Sequence, residues 1–468
     1  MLRKGIDVYC YVSLPGAYVN FSLPGKDIIR RDSSQNFTGN QLDLEWPHAD
    51  WRGRGCFKWT VFGQAGNVLV SREVTVNAMT GSMYGASSIA PFDTPAVMKD
   101  DHCVCYGYYV AGKGVLGLSD RHQIWVTVTP RRDNWMGDLI PPGSAIEQRS
   151  FSLFVLPGTH NAGMNTMDKI SAFMRNQTKA PIIGATAVKF TKLSSLLAWR
   201  CIHNLAITQK ESVTDMLKIG TRMFDFRPAF LYGVSAAKAR SIENVYATHA
   251  RIPGISMAKF LKELVSFLED NTTEIVVLCL KHGGSRGCEK PTRTQLKWAL
   301  ESAFPASIQV GWGYAFLGKS VAELRASKTR VIIPEGAKGF DTWKGENHRA
   351  FSPEKIINNV FEKLTTERQA EAHITRLRCA LTPTATGRGI IAHSAISGPS
   401  SSPLMEVKAR SDIKTLKWIR DHALERLKAD TSITVGNDFI DGQTVDACVS
   451  LSARRFGVPD PVLMDGNV

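Results

Sequence analysis

The chain has 468 residues, 43% hydrophobic and 21% charged, with a net charge of +14; that length and balance suit a globular protein of two or three domains, not a disordered or single-core chain. No window approaches the roughly 18 uninterrupted apolar residues of a membrane-spanning helix, and the opening MLRKGIDVYCYVSLPG alternates and turns at Pro15 without the apolar block of a secretory signal. A cytoplasmic or peripheral membrane location is therefore expected.

Residues 1–145 hold 14 Lys and Arg against 13 Asp and Glu, so nearly all of the positive surplus belongs to residues 146–468. Such a surface favours anionic partners, either an acidic phospholipid face or nucleic acid. No basic stretch with interleaved aromatics supports nucleic acid, which is not expected as a partner. The nine cysteines show no zinc-like pairing beyond Cys103 and Cys105, whose one-residue gap suits buried free thiols better. Sequons stand at Asn36, Asn176 and Asn271.

Up to about residue 145 the pattern is short runs rich in Val, Tyr, Trp and Thr, broken by Gly, Pro, Asn and Asp. CFKWTVFGQAGNVLVSREVTV predicts two strands about a Gly-Asn turn, and HQIWVTVTP alternates as a half-buried strand does. An all-β, sandwich-like domain is expected over residues 1–145, a candidate membrane- or ligand-binding module, with GDLIPPGSA as linker. Trp46, Trp51 and Trp59 beside Arg52 and Arg54 hint at an interfacial patch. Burial in a sandwich core is the better reading for at least two of these tryptophans.

From residue 151 strand and helix alternate. SMAKFLKELVSFLEDN spaces Met257, Phe260, Leu261, Leu264, Phe267 and Leu268 along one helical face behind Ser256 as N-cap, and TEIVVLCLKH follows as a buried strand. DIKTLKWIRDHALERLKAD then SITVGNDFI repeats the order. Alternation over residues 146–468 predicts an α/β fold, a parallel sheet closed as a TIM-like barrel, regular or irregular, with its chemistry at the strands' C-terminal ends.

Polar residues gather at those ends. The strand FVLPGT leads into His160 and Asn161. In RMFDFR, Asp225 and Arg227 share a face with Met223 beneath them, and in VVLCLK the face of Val277 and Cys279 leads to Lys281. VYATH ends in His249; in ITVGNDF either Asn437 or Asp438 faces inward. A salt bridge that only staples the barrel competes for the Asp225 and Arg227 pair, and a solvated side chain for His249 or Lys281 alone. Two histidines, two cations and two carboxylates on one rim suit phosphoryl transfer by proton shuttling and fixed positive charge.

LPGTHNAG, SVTDMLKIGTRMFDFR, YATH and FLKELVSFLEDNTTEIVVLCLKH, in this order, resemble the X-domain of phosphatidylinositol-specific phospholipase C over residues 151–282, with a thinner likeness to about 455. The resemblance implies a phosphodiesterase cleaving a phosphatidylinositol-type lipid to diacylglycerol and an inositol cyclic phosphate. It implies His160 as general base, His249 as general acid, Arg227 as phosphate clamp, Asp438 as the carboxylate orienting His160, and Lys281 near the head group. Calcium-using relatives carry carboxylates where Arg227 and Lys281 stand, so a site of bacterial type without metal or cofactor is expected. Metal-free relatives have aspartate at the position of Asn161; an amide can orient an imidazole but not stabilise its charge, which lowers the expected pKa of His249 unless Asp225 takes over. The alternatives are a phosphodiesterase for another lipid head group and a catalytically silent phosphoinositide-binding protein.

Overall fold

The computed structural model describes residues 5–80, 82–85, 89–112, 114–168, 192–230, 242–249, 252–281, 289–343, 345–383 and 387–462. Asn176 of the sequons and Cys288 lie outside them, as does the side chain of Trp46.

Residues 5–130 form two five-stranded sheets. In one, Gly5–Val12 pairs in parallel with His122–Pro130, flanked by Gly39–Asp43 and by His102–Tyr109 with Val97–Lys99. The other runs Ile29–Arg31, Tyr18–Ser22, Arg54–Phe62, Val68–Asn77 and Met83–Tyr84, antiparallel throughout. Val8, Val19, Phe21, Phe57, Trp59, Ile124 and Val126 fill the space between the sheets, as alternating strands with one apolar face require.

The strand His122–Pro130 is not half-buried as its alternation predicts: every residue but the last is buried. Its second face, carrying Gln123, Trp125, Thr127 and Thr129, lies on the helices Pro403–Arg426 and Gly442–Phe456. Neutral polar residues can face a helix layer as well as water, so the sequence signal is the same for both. GDLIPPGSA is no loose linker either. Its first three residues close a short helix, Trp135–Leu139, whose Trp135, Met136 and Leu139 are buried together with Ile140 in a core shared with the C-terminal half.

That half is organised by eight parallel strands: β1 (Val155–Thr159), β2 (Met223–Phe226), β3 (Val276–Leu280), β4 (Gln309–Trp312), β5 (Thr329–Ile333), β6 (Gly339–Asp341), β7 (Ile374–Arg378) and β8 (Ser432–Asn437). Their order is β4-β5-β3-β2-β1-β8-β7-β6. The sheet is a curled, irregular TIM-like barrel: β5 stands between β3 and β4, and no pairing joins β4 to β6 among the described residues.

Leu156, Met223, Val277, Cys279, Ile332 and Ile374 point inward. Phe224, Phe226, Val276, Leu278, Val331 and Ile333 point outward, under helices that include Met257–Asp270. That helix buries the six residues its spacing predicts, and Ser256 Oγ caps it by accepting from the Lys259 N–H. The helix Pro403–Arg426 begins nine residues earlier than its apolar spacing suggests, because its first turns bury Glu406 and Lys408 beside apolar neighbours.

Candidate active site

On β1 the residues Leu156, Gly158 and His160 share a face. At Gly158 a Cβ would meet Met223 Cε at 2.7 Å, so a larger residue would require the end of that methionine to shift. The His160 N–H donates to the Asn437 carbonyl at 3.1 Å, continuing the pairing of β1 with β8 by one residue. Asp438 Oδ1 lies 2.7 Å from His160 Nδ1. A carboxylate cannot donate, so Nδ1 carries the proton and Nε2 presents its lone pair. The Asn161 amide Nδ2, 3.3 Å from Nε2, fits that tautomer as a donor. Asn161 therefore touches His160, not His249 as the sequence reading expects, and its Oδ1 is buried with no hydrogen-bond donor among the described residues.

Asn437 and Asp438, which alternation leaves open, divide cleanly. Asn437 turns outward, donating to Asp412 Oδ1 and Oδ2 at 3.0 and 3.1 Å, and its own Oδ1 accepts the Asp438 N–H at 2.9 Å. Asp438 turns to the mouth.

His249 does not end a barrel strand. It closes Val245–His249, the middle strand of a separate antiparallel sheet with Pro228–Phe230 and Ile252–Ser256. That sheet grows directly out of β2, and the Thr248 N–H and Oγ1 both donate to the Arg227 carbonyl, at 2.9 and 3.0 Å. The sheet thus carries His249 back over the mouth, where its ring centroid lies 6.2 Å from that of His160. Its Nδ1 is 3.3 Å from the Ala206 carbonyl, which leaves Nε2 toward the site. Burial, then the neighbouring His160 and Arg227, pull its pKa down to about 4, so the imidazole is neutral at neutral pH.

Asp225 is fully buried. Its partners are cations: Arg227 at 3.1 Å, Lys281 at 3.5 Å and Arg378 at 3.9 Å. Although burial alone would raise it, these charges hold its carboxyl far below the usual range. It therefore acts as an anionic anchor for the cations; among the described residues it makes no hydrogen bond to His249 and does not take over support of that imidazole. Lys281 is pushed down to about 8, mainly by burial.

Several neighbours escaped the sequence reading. Asp341 pairs with Arg378 through two bonds, 3.2 and 3.0 Å, and lies 4.0 Å from Lys281. Trp343 lays its ring near-parallel to His160 at 6.4 Å between centroids. Arg376 and Arg378 follow Ile374 on the inward face of β7; the alternation in ITRLR carried that signal. Thr208 and Gln209 sit in no periodic pattern, and nothing in the sequence singles them out. Among the described residues no group of three or more His, Cys, Asp or Glu is placed to hold a metal ion, and no helix is long and apolar enough to cross a membrane.

No family model matches the chain and no curated protein matches it. Among solved structures, a point mutant of the phosphatidylinositol-specific phospholipase C from Staphylococcus aureus aligns with TM-score 0.42 and 12% identity, over 68% of this chain and 96% of that one. A variant of the same enzyme carrying pentafluoro-phenylalanine gives 0.40 and 14%, over 67% and 97%. A structure concerned with modulation of that enzyme's membrane binding gives 0.40 and 12%, over 67% and 97%.

Proposed function

We propose that the chain is a phosphodiesterase that cleaves a phosphatidylinositol-type lipid by acid/base catalysis between two histidines. The observation that carries this reading is the pairing of two imidazoles, 6.2 Å apart, one oriented by Asp438 and both beside a buried field of cations. His160 Nε2 takes the proton of the inositol 2-hydroxyl, whose oxygen attacks phosphorus. The bond from phosphorus to the diacylglycerol oxygen breaks, and His249 gives that oxygen a proton. Diacylglycerol and an inositol cyclic phosphate leave. Arg227 balances the charge that develops on the equatorial oxygens, where a planar two-pronged donor suits phosphate.

A neutral His249 in the free protein has to gain its proton with the substrate. An anionic phosphodiester beside it raises its proton affinity, opposing the effect of Arg227. The substrate would be met at an anionic phospholipid surface. Trp51, 78% exposed with the Arg52 guanidinium 4.3 Å above its ring, supports a contact from the N-terminal module; Trp59 is fully buried and cannot contribute.

Incubation of the full chain with vesicles of radiolabelled phosphatidylinositol in chelator, followed by separation of cyclic from open inositol phosphates, tests the proposal. Cyclic product is expected, with His160→Ala and His249→Ala each lowering turnover by about 10²–10⁴-fold. Wild-type rates in both variants would overturn it; a requirement for added calcium would overturn the metal-free site.

A further inference from the structure

We propose that Arg376 and Arg378 of β7 form a second anion subsite beside the phosphodiester site, and that the head group taken there is a phosphorylated polyol. The inference rests on the phosphodiesterase reading above and names its substrate class. Arg378 spends one edge of its guanidinium on Asp341, while its Nη1 is buried with no hydrogen-bond partner among the described residues. Gly436 makes room for that nitrogen: a Cβ there would meet it at 3.1 Å. Arg376, two residues deeper and still partly open to solvent, donates from Nη2 to Cys279 Sγ at 3.5 Å, and its Nε is likewise buried with no partner among the described residues. A thiol is a weak acceptor, and among the described residues this guanidinium has no carboxylate partner of the kind that Arg222, Arg325 and Arg378 each have.

The charges point the same way. Arg227, Lys281, Arg376 and Arg378 face two carboxylates, Asp225 and Asp341, with Asp438 held by His160. One phosphodiester brings a single negative charge and leaves one of the four cations uncompensated. A partly desolvated charge without a counter-ion is unfavourable, and the hydroxyls of an unphosphorylated polyol accept hydrogen bonds without neutralising it. A phosphomonoester on the ring supplies both the charge and acceptors in the planar geometry arginine matches.

Calorimetry on the full chain with an inositol monophosphate, an inositol bisphosphate and inorganic phosphate reads the subsite without turnover. The bisphosphate is expected to bind at least about tenfold tighter than the monophosphate, the scale of one charge-assisted hydrogen bond. Arg376→Gln should abolish the difference and Arg376→Lys keep part of it, both with melting curves close to wild type. In vesicle assays Arg376→Gln should lower kcat/KM for a phosphorylated phosphatidylinositol by a larger factor than for phosphatidylinositol. Equal binding of the two inositol phosphates, or equal losses on both lipids, overturns the subsite. Inorganic phosphate binding as tightly as the bisphosphate overturns the head-group assignment. If neither lipid is cleaved, the enzymatic reading fails while the calorimetric comparison still decides the subsite.

Discussion

Gln209 Nε2 donates to the His160 carbonyl at 3.1 Å and equally to the Asn437 carbonyl, so one buried amide ties the end of β1 to the end of β8. Its Oε1 accepts the Ile440 N–H at 3.0 Å. Thr208 works beside it, donating from Oγ1 to the His160 and Asn161 carbonyls and accepting the Phe439 N–H on its own carbonyl at 2.7 Å. Both strands leave this clamp through left-handed backbone, Asn161 at φ 47° and Phe439 at φ 47°. For residues with a Cβ that conformation costs about 1–2 kcal/mol each, and it persists where surrounding bonds over-determine it. The clamp thereby fixes the two chain segments whose side chains are His160 and Asp438.

Replacing Gln209 by Leu removes three hydrogen bonds while keeping the volume. The two carbonyls each keep a second donor, the Thr208 hydroxyl and the His160 N–H, so the buried group left without its partner is the Ile440 N–H, and the expected loss is about 1–3 kcal/mol of stability, read from a denaturant melt. On the proposed chemistry kcat should fall with KM nearly unchanged, because the imidazole shifts against its carboxylate while the cations stay in place. Full turnover in a destabilised Gln209→Leu protein would confine the clamp to a structural role.

Lys281 gives the cation field a pH limit. With its pKa lowered to about 8, it is charged below that value and neutral above it, unlike a guanidinium, which keeps its charge over the accessible range. Anion binding should therefore weaken as pH rises through about 8, seen as a rising KM or a weakening Kd for an inositol phosphate. Lys281→Arg, which keeps the charge at any accessible pH, should flatten that limb. An unchanged limb in this variant would assign it to another group.

How far this site could be read in advance depends on period. Met223, Asp225 and Arg227 obey the two-residue alternation of a strand and lie on one face as expected; Val277, Cys279 and Lys281 do the same. The apolar stripe and Ser256 cap of the helix Met257–Asp270 were equally legible. What escaped was set by tertiary contact. His249 reaches the mouth through an antiparallel sheet that no local pattern distinguishes from a barrel strand. Gln209 acts through backbone groups some 50 and 230 residues away, and Lys408 and Asp412 form a buried pair at 2.6 Å whose i,i+4 spacing is the same as that of an exposed one.

His249 also makes stability depend on acid. Its folded-state pKa of about 4 lies below the ordinary 6.5, so between these values the unfolded chain binds a proton that the folded one refuses. Its contribution is complete above pH 6.5 and is lost as pH falls toward 4. Wild type should lose melting temperature across that window more steeply than His249→Gln. Parallel curves for the two proteins would contradict the burial assigned to this imidazole.

At the opposite end of the barrel, Arg222 and Glu274 stand just before β2 and β3 as a fully buried ion pair, with Nη2 to Oε2 2.7 Å. Glu274 also accepts the Gly137 N–H at 2.9 Å and that of Met136 at 3.3 Å, while Arg222 donates to the Leu217, Thr221 and Asp133 carbonyls. The pair thus joins the barrel floor to the segment that connects it with the N-terminal sheets. Glu274→Ala leaves the guanidinium buried without its counter-charge, and the expected cost is about 3–5 kcal/mol. Glu274→Gln, which keeps the acceptor for Gly137 but not the charge, should cost less. Neither change reaches the mouth, so any folded fraction should retain wild-type anion affinity. A melt of Glu274→Ala within about 1 kcal/mol of wild type would mean that the pair contributes little beyond what its own desolvation removes.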